Sequence, residues 1–223
     1  FDGKDKDDSY LRTDIFFTGE VNDNWHYTAM LRNVQDFRGD NESGDDDTDF
    51  QRAYLTGNIG VVDITAGRYN DFIADGNIYD NRVDGIKAVV PFGAAYLRAE
   101  YGKMANKSTY GWQKKYDDIN GKPFDLTETS KADTYWMAEL GGTVGNFDLA
   151  ASYLDVNDEY NVLGLYGDNK IWTAAATYNT GKFSLGAMYL KGDDDLLTGD
   201  AKNYDDDGFV VSMGWAGAKI HNP

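Results

Sequence analysis

Loop length in this 223-residue chain alternates with a strict parity. Tight connections fall at Asn22-Asp23-Asn24, Asn58-Ile59-Gly60, Phe92-Gly93, Gly145-Asn146 and Asn179-Thr180-Gly181. Between them lie long, mostly acidic stretches: Asp40 to Asp47, Asp71 to Asn81, Ala105 to Ala132, Asn157 to Asn169 and Gly192 to Asp207. A soluble sandwich has no reason to sort its connections this way. A transmembrane β-barrel does, because short turns close one rim in the periplasm and long loops cover the extracellular rim. The expected fold class is therefore all-β, an antiparallel barrel crossing the outer membrane.

Composition is compatible with that reading without selecting it. Three prolines and 25 glycines suit a sheet protein, since proline is excluded from central strands and glycine marks turns and bends. The 16 tyrosines and 5 tryptophans belong to the types that favour membrane interfaces. Mean hydropathy is -0.59, but a barrel strand is apolar only on alternate residues, so a low mean does not separate barrel from soluble protein. The net charge of -17 is clustered, with Asp45-Asp46-Asp47, Asp193-Asp194-Asp195 and Asp205-Asp206-Asp207 all in long connections. So acidic a chain is a poor candidate for phosphate-backbone binding, and no nucleic acid is expected.

Roughly eleven strands are readable, each near the 9–11 residues that a tilted strand needs to cross a bilayer. In Leu11 to Glu20, Arg12, Asp14, Thr18 and Glu20 share one face, and Leu11, Ile15 and Phe17 the other. Arg98 and Glu100 likewise oppose Leu97, Ala99 and Tyr101. Phe183, Leu185, Ala187 and Tyr189 alternate with Ser184, Gly186 and Met188. Phe209, Val211, Met213 and Trp215 oppose Ser212 and Gly214. A side-chain period of two puts each set on one face. Aromatics recur at strand ends (Trp25, Tyr101, Trp136, Tyr153, Trp172, Tyr178), as interfacial girdles require. Only Val61 to Tyr69 and Val83 to Val90 resist a facing, because apolar residues occupy both parities there. Bacterial barrels have even strand numbers, so eleven strands predict at least one more upstream. The expectation is an internal piece of a longer barrel, incomplete at both ends of 1–223.

The segment Gly67-Arg68-Tyr69-Asn70-Asp71 through Arg82-Val83-Asp84-Gly85, preceded by Phe50-Gln51-Arg52-Ala53-Tyr54, resembles the inward-folding connection of general bacterial outer-membrane porins and the strands before it. The nearest likeness is to the trimeric porins of diderm Firmicutes, which carry a peptidoglycan-gripping S-layer-homology domain ahead of a barrel of about sixteen strands. The resemblance implies passive diffusion of small hydrophilic solutes and ions, a homotrimer in contact with outer-membrane lipid and lipopolysaccharide, and a peptidoglycan tether through an upstream domain. It also implies a pore wall carrying Arg12, Arg32, Arg52, Arg68, Arg82 and Arg98, faced by Asp71, Asp75 and Asp80 on a constriction loop. Opposite charges across a narrow aqueous gap would make a transverse field that sorts solutes by sign and dipole. Equally, each arginine would pair with a nearby carboxylate such as Asp14 or Glu100.

Signals for chemistry are thin. His26 and His221 are the only histidines, too few and too separated for a zinc site. There is no Gly-x-Ser-x-Gly elbow, phosphate loop or cysteine nucleophile, so no enzyme, cofactor or resident metal is expected. Asp205-Asp206-Asp207-Gly208 lacks the complete calcium loop with its twelfth-position glutamate, which leaves weak, exchangeable divalent binding at the acidic loops. The alternative from another class is a secreted, soluble all-β carbohydrate- or calcium-binding module.

Overall fold

The computed structural model describes residues 10–36, 47–104, 116–117, 123–124, 134–157, 169–192 and 207–215. Eleven strands form one antiparallel sheet in chain order: β1 (Tyr10–Asn22), β2 (Trp25–Asp36), β3 (Asp47–Ile59), β4 (Val62–Ile73), β5 (Tyr79–Phe92), β6 (Ala95–Met104), β9 (Thr134–Val144), β10 (Phe147–Asn157), β11 (Asn169–Thr180), β12 (Phe183–Lys191) and β13 (Asp207–Trp215). A separate ribbon, β7 (Tyr116–Asp117) with β8 (Pro123–Phe124), lies between β6 and β9 in the chain. Every strand of the large sheet pairs with its neighbour in sequence, an uninterrupted meander. Among the described residues β1 and β13 remain the two edges. Together they make an all-β, barrel-type wall, not a closed ring.

The five tight turns fall where glycine and asparagine spacing placed them. Gly60, Gly93, Gly145 and Gly181 have φ of 65°, 67°, 62° and 45°, a left-handed conformation that costs glycine little. Asn22 closes the β1–β2 turn by accepting the Asn24 amide on its Oδ1 at 3.0 Å. All five turns share one rim, and the strand ends that the longer connections join share the other.

One sequence expectation changes here. Asp71 to Asn81 is not a long loop, because β4 and β5 stay paired to their ends through Asp71↔Asn81, Phe72↔Asp80 and Ile73↔Tyr79. Only residues 74–78 form the tip. Ala74, Asp75 and Gly76 take φ of 53°, 53° and 80°, and the Asn77 amide closes onto the Ala74 carbonyl at 2.9 Å. The tip nevertheless travels inward. The Asn77 side-chain amide lies 3.8 Å from the Met188 sulfur on β12, and Ile73 and Ala74 are buried.

The concave side therefore holds a small apolar core beneath the hairpin. Ile73, Tyr79 and Val83 from the hairpin pack with Tyr69, Met104, Tyr135, Met137, Leu154 and Val156, and Ile78 and Ile171 flank them. Phe72 points the other way and is half exposed.

The two faces of the sheet are inverted relative to a soluble protein. Along β10, β11, β12 and β13 the outward positions repeat one pattern, an aromatic, two small or aliphatic residues and an aromatic. The runs are Phe147-Leu149-Ala151-Tyr153, Trp172-Ala174-Ala176-Tyr178, Phe183-Leu185-Ala187-Tyr189 and Phe209-Val211-Met213-Trp215. Val211, Met213 and Trp215 are 64%, 74% and 72% exposed, whereas Arg98, Glu100 and Glu139 are buried on the concave side.

Candidate functional site: a charged ladder on the concave face

Arg98 is the centre of the site. The β6 alternation buries Arg98, Glu100 and Met104 inward and leaves Leu97 and Tyr101 outward. Register then stacks Arg98 beside Glu139 of β9, and Glu100 beside Lys87 of β5. The Arg98 guanidinium lies 2.6 Å from Asp71, 2.8 Å from Glu100 and 3.9 Å from Glu139. Lys87 adds a second cation, 3.0 Å from Asp71 and 3.8 Å from Glu100, with its ammonium over the Tyr69 ring at 4.9 Å. Tyr135 donates to Glu100 at 3.2 Å. Buried charges persist only when paired and hydrogen-bonded, and this network meets that condition for Asp71 and Glu100.

Glu139 is held differently. Tyr96 donates to its Oε1 at 2.9 Å, and among the described residues its Oε2 has no hydrogen-bond partner. The Tyr96 ring can lie there because residue 141 is glycine, where a Cβ would collide with that ring.

A second, smaller cluster sits on the same face toward β1. Arg32 grips Asp14 with two hydrogen bonds of 2.7 and 3.0 Å, and Arg12 stands 3.5 Å from the same carboxylate. Arg52 lies opposite the buried Met30 in the β2–β3 register, just before a bulge in which Gln51 is the extra residue. Arg12, Arg32, Arg52 and Arg98 thus share the concave side.

Arg68 and Arg82 do not join them. Arg68 pairs in register with Asp84, Asp84 with Lys103, and the next outward pair is Ile86 with Tyr101. Arg68, Arg82 and Asp84 accordingly stand on the convex face, opposite Tyr69 and Val83. Arg68 donates to Asp84 through Nε and Nη2 at 2.7 and 2.8 Å. Placing Arg68 and Arg82 on the pore wall is corrected for this reason.

The three constriction acids also separate. Asp71 faces inward but is held by Arg98 and Lys87, not by Arg52 or Arg68. Asp75 sits in the hairpin tip, and Asp80 is exposed opposite Phe72 on the convex parity. Lys87, Glu139, Tyr96 and Tyr135 escaped the sequence reading. Lys87 lies where both parities are apolar, and Glu139 reads in sequence as one polar residue among Tyr135 and Met137. No group of three acidic or histidine side chains positioned to hold a metal ion occurs among the described residues.

Beyond the ladder, the concave side of β10 to β12 carries hydroxyls and one carboxylate, Asp148, which accepts from Thr143 at 2.6 Å and from Asn179 at 2.7 Å. Ser152 and Thr173 hydrogen-bond each other at 2.6 Å, Ser184 donates to Asn179 at 2.7 Å, and Thr177 is buried nearby.

No protein-family profile matches the chain, and no curated protein sequence matches it. Solved structures of similar shape include a loop-deletion form of the outer-membrane protein OmpT of Vibrio cholerae, at 14% identity and TM-score 0.45, covering 94% of this chain and 82% of that one. Salmonella typhi OmpF in complex with daunomycin is similar at 12% identity and TM-score 0.42, over 86% and 74% of the two chains. A multiply substituted porin of Rh. blastica is similar at 14% identity and TM-score 0.41, over 95% and 81%. Likeness at this level has no bearing on the site.

Proposed function

We propose that this chain is part of the wall of a bacterial outer-membrane porin, passing small hydrophilic solutes and ions by diffusion. The supporting observation is the outward pattern of aromatic, aliphatic, aliphatic, aromatic on four successive strands, over a concave face that carries the charges. On each strand the two aromatics are six residues apart, about 20 Å along a strand at ~3.3 Å per residue. An apolar band edged by two aromatic girdles suits a bilayer with its two interfaces. In water, the same face would be an exposed apolar patch far larger than a monomeric soluble protein carries.

The girdle near the long-loop rim also suggests what surrounds the barrel. Tyr101, Trp136, Tyr153, Trp172, Tyr189 and Phe209 follow one another as direct or diagonal cross-strand neighbours, with ring centroids 4.9 Å apart for Trp136–Tyr153 and 4.4 Å for Tyr153–Trp172. Continued across β5 and β4, the register of Tyr101 leads to Ile86 and then Ala66, with the Asp84–Arg68 pair two residues nearer the hairpin tip. At girdle depth a charge pair costs little against lipid, so the homotrimer is carried by the resemblance. Outer-membrane lipid and lipopolysaccharide would cover the rest. A peptidoglycan tether through an upstream S-layer-homology domain belongs to the parent protein on this reading.

The test is extraction and conductance. The protein should leave the cell envelope only in detergent and should produce discrete, ohmic conductance steps in planar bilayers. Release into buffer without detergent, together with silent bilayers, would favour the secreted soluble module.

A further inference from the structure

An amine, a carboxylate and a second acid meet at reacting distance where the sheet folds back on itself. Asp71 stands opposite Asn81 in the β4–β5 ladder, and Lys87 stands opposite Thr65. On flat strands the six positions between Asn81 and Lys87 would hold the two side chains about 20 Å apart, at ~3.3 Å per residue. Instead Lys87 Nζ lies 3.0 Å from Asp71 Oδ1. The fold-back follows a row of glycines in register, Gly67 of β4, Gly85 of β5 and Gly102 of β6. A Cβ at Gly85 would stand 2.5 Å from the Tyr101 carbonyl oxygen, and one at Gly102 2.9 Å from Gly85 Cα. The backbones approach too closely there for any side chain.

Water has little access to the meeting point. The side chains of Asp71 and Glu100 are 4% and 0% exposed, and that of Lys87 is 22% exposed. The Lys87 ammonium rests over the Tyr69 ring, and Tyr135 donates to Glu100; both tyrosines belong to the apolar core. Arg98 Nη2 lies 2.6 Å from Asp71 Oδ2 and 2.8 Å from Glu100 Oε1, which brings the two carboxylates together. Glu100 Oε1 is 3.8 Å from Lys87 Nζ.

We propose that Lys87 and Asp71 condense into an isopeptide bond, a covalent staple that pins the folded-back hairpin to β5. The bond does not depend on the porin reading. The Lys87 ammonium gives a proton to Glu100, which hands it to Asp71 Oδ1. The free amine attacks Cγ of the resulting carboxylic acid, while Arg98 stabilises the negative charge that develops on Oδ2. Glu100 carries a second proton from the nitrogen to the Oδ1 hydroxyl, which leaves as water. One C–N bond forms, one C–O bond breaks, nothing is oxidised or reduced, and Glu100 and Arg98 end as they began. Holding the reacting atoms in contact replaces a bimolecular encounter. Condensation also removes one positive and one negative charge from a desolvated cluster, and with them the cost of keeping that ion pair out of water.

The experiment is tryptic peptide mapping by tandem mass spectrometry of the full-length protein, purified from cells in its folded form and then denatured. Wild type should yield a branched peptide joining residues 69–82 to residues 83–98, lighter by one water than the two together, with Lys87 left uncut. Lys87→Arg keeps a cation beside Asp71 but cannot make this amide, and should yield only linear peptides of full mass. Glu100→Gln keeps the size of the side chain and should leave the folded fraction mostly linear, because losing a proton carrier slows such a step roughly a hundredfold or more. A wild type cut at Lys87, with its peptides at sequence mass, overturns the proposal whether or not any variant folds. A water lost within residues 69–82 alone marks a cyclic imide and overturns it equally. Full cross-linking in Glu100→Gln overturns the proton relay.

Discussion

Val211 and Ser212 are consecutive residues of β13 that point to opposite faces, and a single positive charge moved between them tests the orientation of the whole sheet. Val211 is 64% exposed on the convex side, between Phe209 and Trp215. If those two aromatics mark the bilayer interfaces, Val211 stands one residue from the midpoint. That is about 3.3 Å along the strand, or ~2.3 Å of depth at a tilt near 45°. An arginine there meets hydrocarbon near the midplane and should destabilise the folded protein by roughly 2–4 kcal/mol. In water the same substitution, on an exposed site without close partners, should stay within about 0.5 kcal/mol. Ser212→Arg places the charge on the concave side beside Gly186 of β12, where room and polar neighbours keep the cost well below that of Val211→Arg. The assay is reversible urea unfolding in lipid vesicles followed by tryptophan fluorescence, with the fraction folded checked by heat-modifiable gel mobility. A near-neutral Val211→Arg, or a larger cost for Ser212→Arg, would refute the outward assignment and restore a soluble sheet whose apolar face is covered by something other than lipid.

Arg98→Met should cost about 3–5 kcal/mol, read as a lower urea midpoint, because it strands Asp71, Glu100 and Glu139 without their shared guanidinium. Gly67→Ala should lower stability by about 1–3 kcal/mol in the same assay: Gly67 has φ of 122°, and a Cβ there would meet the Ala53 carbonyl and stand 2.9 Å from Tyr54 Cα. Replacing residues 74–78 by a two-residue Asn-Gly turn should raise single-channel conductance, since the tip that reaches Met188 is what narrows the concave side. Shortening the outer connection between β2 and β3 should leave conductance unchanged, and equal effects from the two changes would take the hairpin out of the pore.

Much of this architecture was legible in the sequence for a simple reason: strand alternation and turn chemistry are local. The positive-φ glycines at 60, 93, 145 and 181 announced the tight rim. A period of two sorted Leu185 from Ser184 and Val211 from Ser212 before any neighbour was known. The Arg32–Asp14 and Arg98–Glu100 contacts also follow from residues recognisable as facing mates.

Depth, register and the path of the hairpin were decided by tertiary structure. On β4 the inward Thr65 and Tyr69 and the outward Ile64 and Ala66 do not differ enough in polarity to reveal which parity is which, so Arg68 was legible as an arginine but not as a convex one. Asp71 was recognisable as an acid near a constriction. That it binds Arg98 and Lys87, 27 and 16 residues away, depends on how three strands slide past one another. Glu139 carries no local mark at all. Its open oxygen exists because Arg98 lies nearer to two other acids and Tyr96 covers Gly141, and such a competition is settled only when β5, β6 and β9 are brought side by side.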